Sequence, residues 1–177
     1  AGVGLNVPRI LASDLERGFL LLSDLGPTTY YDRIVQGIDD SALQRLYRDA
    51  VAALVTLQGA SHQGLPVYDA MRLKSELGLF PEWFATVHCK SPLDTDSANA
   101  LDQVFDLLVS HNAAQPRVLV HRDFHSPNLM VCEQPGHGAN PGVIDFQDAL
   151  SGPITYDLAS LVMDARTTWE EPQQLDW

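Results

Sequence analysis

The sequence predicts an α+β fold, and three observations carry that prediction. Two apolar runs around a short polar turn open the chain as a hairpin. Segments of helical period occupy the middle. Three short β-type runs separated by polar loops follow between residues 118 and 145, and one more helical segment comes after them.

Taken in order, Pro8 to Asp14 and Phe19 to Asp24 read as two strands joined by Glu16-Arg17-Gly18. Gly26-Pro27 breaks the chain. From Ser41 to Gln58 the residues Leu43, Leu46, Tyr47, Ala50, Val51, Leu54 and Leu57 share one helical face. Asp39, Asp40 and Ser41 are capping candidates there, and Gly59 is the stop. A shorter helix fits Tyr68 to Leu77, ending at Gly78 before the aromatic segment Leu79 to Phe84. A third fits Ser97 to Ser110, with Leu101, Val104, Phe105, Leu108 and Val109 facing inward. The β-type runs are 118–120, 129–132 and 142–145, and the last helix fits Tyr156 to Ala165.

At 177 residues, 45% hydrophobic and 19% charged, the chain can bury a core of its own. No apolar run approaches the roughly 18 residues a membrane helix needs, so no membrane partner is expected. Eleven Lys and Arg against 23 Asp and Glu give a formal charge of −12, which repels nucleic-acid phosphates. A small phosphorylated ligand stays compatible, because a metal ion and a few local donors override the global field. Cys89 and Cys132 lie far apart without a C-x-x-C pair; a single disulfide is open, but reduced thiols in a cytoplasmic protein fit better.

Chemistry concentrates in "HRDFHSPNLM", residues 121 to 130, directly after Val118-Leu119-Val120. If 129–132 and 142–145 pair around the Gly/Pro-rich loop 134–141, Asp145 returns close to Asn128. Carboxylate and amide oxygens together form a hard-oxygen set suited to Mg2+ rather than zinc. Asp123 stands before the turn, free to accept a proton from an incoming hydroxyl. Ordinary turn and cap chemistry is the competing reading for Asp123, Asn128 and Asp145, since Asp and Asn favour turns. The joint spacing favours a site. His121 and His125 have the i, i+4 spacing of a metal pair, but the strand before and Pro127 after oppose the helix that pair needs. No G-x-S-x-G elbow supports a serine hydrolase.

His121-Arg122-Asp123 with Asn128 five residues after the aspartate, then Asp145-Phe146-Gln147, is the base-and-metal signature of protein kinases. His125 stands where protein kinases carry lysine, and Gln147 replaces the glycine of D-F-G. The sequence therefore resembles the aminoglycoside phosphotransferase/choline kinase family, which has a protein-kinase-like fold and phosphorylates hydroxyls of small molecules. "LVHRDFHSPNLMV", "GVIDFQDALSGPITYDLASLVMDAR" and "LGLFPEWF" are similar, more narrowly, to bacterial cell-wall-recycling kinases acting on the anomeric hydroxyl of N-acetylmuramate or N-acetylglucosamine. The likeness runs from about Val7 to Arg166.

The resemblance implies ATP and Mg2+, with an amino sugar as the small-molecule partner. It implies Asp123 as catalytic base and Asn128 and Asp145 as holders of Mg2+. Ser23, Asp24 and Leu25 would form the hinge that meets adenine, over an apolar floor of Met130 and Ile144. An aspartate at Asp157 would brace the catalytic loop, besides favouring a helix N-terminus by its charge. His121 and Arg122 read as loop supports, and His125 as either a phosphate contact or a loop cap. Glu82, Trp83 and Phe84 read as a sugar-stacking platform or a plain apolar cluster. Asp148 could bind a sugar hydroxyl or face water; Arg166 could pair with a substrate carboxylate or form a surface salt bridge.

A kinase of this kind also needs a Gly-rich loop and a strand lysine. The only lysines are Lys74 and Lys90, and Gly2-Val3-Gly4 is a bare G-x-G. The chain is therefore expected to be truncated, holding the last hairpin of the N-lobe with the hinge strand (1–24) and the mainly helical C-lobe (25–177). By itself it is expected to be inactive or nearly so. Two alternatives stand beside the sugar kinase: an aminoglycoside or other alcohol kinase, and a non-catalytic kinase-shaped binding module.

Overall fold

A computed structural model describes residues 3–133 and 136–177, so Gly2 of the bare G-x-G and positions 134 and 135 of the 134–141 loop lie outside the described residues. Strands β1 (Ile10–Asp14) and β2 (Phe19–Leu22) pair antiparallel as the hairpin the sequence predicts. Helix α1 (Tyr30–Val35) follows, then α2 (Asp40–Gln58), α3 (Ala70–Leu77), a π-helical stretch (Phe80–His88) and α4 (Thr95–Ala113). Strands β3 (Arg117–Val120), β4 (Leu129–Met130), β5 (Gly142–Val143) and β6 (Leu150–Pro153) precede helices α5 (Tyr156–Val162) and α6 (Glu171–Asp176). No described helix is long and apolar enough to cross a membrane.

Helix α2 starts where Asp39 accepts the N–H of Ala42, an N-cap that satisfies one otherwise orphaned donor, and it stops at Gly59. Its apolar face (Leu43, Leu46, Tyr47, Ala50, Leu54 and Leu57) is buried, as the period demands. That face packs with Tyr30, Phe124, Leu129, Val143 and Leu161 into one core. The core therefore reaches directly under the 121–130 segment: Phe124, the fourth residue after β3, is fully buried. Trp177 stacks on the Tyr47 ring at 3.8 Å, and Trp169 meets it edge-on and donates its N–H to the Tyr47 hydroxyl. A second cluster joins Tyr68, Leu73, Val109 and Leu150.

Two short antiparallel ladders carry the site. β3 pairs with β6, from Arg117 opposite Pro153 to Val120 opposite Leu150. β4 pairs with β5, Leu129 opposite Val143 and Met130 opposite Gly142, which is the pairing expected from the sequence. A Cβ on Gly142 would come within 2.8 Å of the Leu25 side chain, 3.0 Å of Cys132 Sγ and 3.2 Å of Met130 Cβ. Gly142→Ala is therefore expected to cost about 1–3 kcal/mol by overpacking, read as a lower denaturation midpoint at unchanged m-value.

Several elements differ from the sequence expectation. Helix α4 runs three residues further than expected at its C-terminus and buries a single row: Val109 is buried and Leu101 and Phe105 are half-buried, while Val104 and Leu108 face solvent. It packs on α3 and β6 from one side only, so the predicted inward set was too wide. Helix α5 ends at Val162 rather than Ala165, because Asp164 leaves the helix to meet Ser126. Cys89 is exposed and Cys132 buried, and both are free thiols, which removes the disulfide alternative.

Candidate active site

Leaving β3, the chain meets a buried carboxylate. Asp157, in the first turn of α5, accepts the backbone N–H of His121 at 2.7 Å and of Arg122 at 3.0 Å. These donors would otherwise be unpaired where the strand ladder ends. The backbone then turns through the left-handed region at Arg122 (φ 78°), and the guanidinium is caught by Glu76 at 2.9 Å. Arg122 is thus tied to α3 rather than directed at a ligand.

His121 is fully buried and links the two halves of the site. Its Nε2 bonds the carbonyl oxygen of Ile144 at 2.9 Å, and its Nδ1 accepts the N–H of Asp123 at 3.3 Å. That pattern requires the neutral Nε2–H tautomer, an assignment made from the network. Burial agrees with it by pushing the imidazole pKa down.

Asp123 leaves its carboxylate about half exposed, while its main chain is fully engaged. Its carbonyl oxygen accepts the N–H of His125 at 3.0 Å and the Nδ2 of Asn128 at 2.9 Å. The same Asn128 amide lies 3.4 Å from Asp145 Oδ2, and the N–H of Ile144 donates to the Asn128 carbonyl at 3.1 Å. Asp145 also has a positive φ of 68°, and its Oδ1 accepts from Gln147 Nε2 at 2.7 Å. Two non-glycine residues in the left-handed region, one beside Asp123 and one at Asp145, mark stored backbone strain of about 1–3 kcal/mol each. Asp123, Asn128 and Asp145 therefore converge, and the last two offer hard-oxygen donors on a solvent-facing edge. That donor set fits Mg2+, which takes one or two protein ligands and fills the rest of its shell with water and phosphate.

Beside this edge, Leu25, Met130 and Cys132 form a buried apolar cluster with Ile144 packed against it. Ser23 is fixed to Arg9 by paired bonds, its N–H to the Arg9 carbonyl at 2.8 Å and the Arg9 N–H to its Oγ at 2.9 Å. Asp24 accepts the N–H of Gly26 at 2.9 Å, closing the turn after β2. His125 is mostly buried; its Nε2 is 3.8 Å from Asp123 Oδ1, and its Nδ1 has no partner among the described residues.

The remaining candidates stand apart. Glu82, Trp83 and Phe84 lie on the π-helix with their side chains largely in solvent, Phe84 stacked between Phe80 and His88. Asp148 is exposed in the turn before β6. Arg166 faces Asp164 at 3.4 Å. None of these hydrogen-bonds to Asp123, Asn128 or Asp145 among the described residues. Glu76 and Asp164 support the loop and were not singled out by the sequence.

Burial lifts the Asp157 carboxyl to about 6, against the two backbone N–H bonds that pull it down. A carboxyl whose folded pKa lies above the unfolded value favours the folded state while protonated. This contribution is present below about pH 4 and is lost as pH rises through about 6, on the order of 2–3 kcal/mol in all. His121 acts in the opposite sense, since its depressed pKa costs stability as pH falls. Denaturation of the protein and of Asp157→Asn across pH 4 to 7 separates them. The stability difference between the two should change through this window, and parallel curves would remove Asp157 as the titrating group.

The class of protein is defined first by the fold. The chain superposes on the ADP-bound aminoglycoside phosphotransferase APH(2'')-Ib with a TM-score of 0.63 at 16% identity, over 97% of this chain and 58% of that one. The gentamicin complex of APH(2'')-IIa gives 0.65 at 14% identity, over 97% and 57%. The GDP complex of aminoglycoside 2'-phosphotransferase-IIIa gives 0.68 at 18%, over 99% and 60%. The fold is thus that of the protein-kinase-like phosphotransferases, as the sequence predicts.

The chain belongs to the phosphotransferase enzyme family (APH), which it matches over residues 1–176. Among its relatives are proteins named N-acetylmuramate/N-acetylglucosamine kinase. That of Pseudomonas aeruginosa is 47% identical over 174 residues, covering 98% of this chain and 49% of the relative. That of Neisseria meningitidis is 44% identical, covering 97% and 50%, and that of Pseudomonas putida 41%, covering 100% and 50%. The chain spans about half the length of these curated relatives.

Proposed function

We propose that the protein carrying this chain is an ATP-dependent kinase that transfers the γ-phosphoryl group to a hydroxyl of an amino sugar, N-acetylmuramate or N-acetylglucosamine. The observation that carries this reading is the single amide of Asn128, which joins the Asp123 backbone to the Asp145 carboxylate. It fixes base and metal ligands relative to each other. The names of the relatives at 41–47% identity support the acceptor class.

In this reading residues 1–24 end an N-lobe and residues 25–177 form the C-lobe. The backbone of Ser23, Asp24 and Leu25 meets the adenine edge, and Leu25, Met130 and Ile144 supply its apolar floor. Asp123 accepts the proton of the sugar hydroxyl as the new oxygen–phosphorus bond forms and the bond from the γ-phosphorus to the bridging oxygen breaks. Asn128 and Asp145 hold Mg2+, which when bound neutralises charge on the phosphates. Positioning does most of the work, because a loose transition state needs little early deprotonation. His121 and Arg122 act as supports and His125 closes the loop beside Asp123. Glu82, Trp83, Asp148 and Arg166 remain candidates for the sugar side, Arg166 only after release from Asp164. The free thiols agree with a cytoplasmic setting.

The test is a phosphate-transfer screen of the full-length protein with ATP and Mg2+ over N-acetylmuramate, N-acetylglucosamine and kanamycin. Transfer to either amino sugar is expected. Transfer to kanamycin alone would move the acceptor to the aminoglycosides, which an acidic surface also suits, and binding of ATP without any transfer would leave a kinase-shaped binding module.

A further inference from the structure

Asp157 holds only the near half of the 121–128 loop, and the far half has its own anchor. Asp164 lies just past the C-terminus of α5 with its side chain wholly buried. Its Oδ2 accepts both the backbone N–H of Ser126, at 3.1 Å, and the Ser126 hydroxyl. Its Oδ1 accepts the N–H of Arg166 at 3.0 Å and faces that guanidinium at 3.4 Å. Burial alone would push this carboxyl up; the Ser126 hydroxyl and the backbone N–H groups of Arg166 and Ser126 outweigh it and hold the group below the ordinary range. Ser126 is itself 1% exposed and opens the single 3-10 turn, Ser126–Asn128, that delivers Asn128.

We infer that Asp164 is a positioning residue for phosphoryl transfer, acting through Ser126 to set where Asn128 stands relative to Asp123. The inference rests on the kinase reading above, since the separation it fixes is that of base and metal ligand. The physical reason is the spacing of the two carboxylates. Asp157 stands in the first turn of α5, and the chain leaves the helix after Val162 and turns the Asp164 side chain back into the protein. Asp157 at the start of α5 and Asp164 just beyond its end therefore hold the loop at two points, like two pins. One pin takes the loop where it leaves β3, at His121 and Arg122; the other takes it at Ser126, before it enters β4. Without Asp164 the Ser126 N–H would be an orphaned donor inside the protein, and the turn would have to open to find water. Arg166 braces Asp164 from outside, which accounts for the arginine that sequence spacing alone left between substrate contact and salt bridge.

The experiment uses the full-length protein with Ser126→Ala, Asp164→Asn and the double variant. Each single change is expected to lower kcat about 10- to 100-fold, the usual loss when a group orienting a metal ligand is removed. KM for ATP should stay within roughly threefold, because the adenine floor is untouched. The double variant should lose no more than the worse single one, since both break the same link. Hydrogen exchange gives a readout that needs no activity: amides Phe124 to Asn128 should lose protection in Asp164→Asn while those of α2 keep theirs. A lowered denaturation midpoint with unchanged kcat, additive losses, or unchanged exchange at 124–128 would each overturn the assignment. If Asp164→Asn does not fold, Ser126→Ala decides by the same kcat and exchange criteria. If the wild-type protein phosphorylates no acceptor, the kinase reading fails, and the exchange arm still decides whether Asp164 pins the loop.

Discussion

Asp123→Asn in the full-length protein is expected to lower kcat by about 10²–10⁴-fold, the range that a positioned general base supplies. The variant should fold normally, because every close contact that Asp123 makes to its loop is through the main chain. Its N–H meets His121 Nδ1, and its carbonyl serves His125 and Asn128. The carboxylate has only His125 nearby, at 3.8 Å, and is half in solvent. An amide of the same shape therefore keeps the loop and, in the proposed role, loses the proton acceptor. KM for ATP should move little, since Leu25, Met130 and Ile144 form a separate surface. The check is steady-state kinetics at saturating ATP beside a denaturation curve. A fall in kcat of less than about a hundredfold, with stability unchanged, would tell against Asp123 as the base.

How much of this was legible in the sequence depends on the range over which each signal acts. The face of α2 was legible because nineteen consecutive residues repeat one period against one core. The return of Asp145 to Asn128 was legible because a hairpin of two short strands leaves few ways to place it. Helix α1 was not, being six residues long, less than two turns; yet its capping box, Thr29 with Asp32, is a local mark that can be read. Strand β6 was hidden by its own composition, Leu150-Ser-Gly-Pro, which reads as a turn. Gly152 stands there because Tyr68 crosses it: a Cβ would sit 3.0 Å from Tyr68 Cβ. The π-helix was hidden for another reason. Its aromatic side chains face solvent, so no buried stripe exposes the period.

The site divides along the same line. Asp123, Asn128 and Asp145 are carried by spacing within and between adjacent strands, which sequence preserves. Glu76 and Asp164 act across the fold, from 46 and 38 residues away, on Arg122 and Ser126. Nothing in a lone Glu at the end of one helix, or a lone Asp past the end of another, says that it is turned inward. Burial decides that, and burial is a property of the assembled core. Glu76 and Asp164 are thus supports of the candidate site that only coordinates reveal, whereas Asp157 was readable from the resemblance.

The second large effect is expected at Asp145, and it should differ from the first in kind. Asp145→Asn keeps size and shape, and asparagine tolerates the left-handed backbone that the position requires. Asn128 donates to one carboxylate oxygen and Gln147 to the other, so the single amide oxygen keeps one of the two bonds, while the main-chain pairing of β4 with β5 does not depend on either and should survive. What disappears is the negative charge, and affinity for a hard divalent cation follows the charge count of its oxygen ligands. Turnover at ordinary Mg2+ is expected to fall about 10²–10³-fold, the scale for losing one preorganised electrostatic element. Part of that loss should return as Mg2+ is raised, with the midpoint of the titration displaced upward by about tenfold or more. Asp123→Asn should leave that midpoint in place, because in the proposed reading Asp123 is the base and does not hold the cation. Titrating Mg2+ at fixed ATP for the two variants therefore assigns the two roles in one experiment. An unchanged midpoint in Asp145→Asn would mean that the cation is held elsewhere, and that the 3.4 Å approach of Asn128 to Asp145 is only a turn contact.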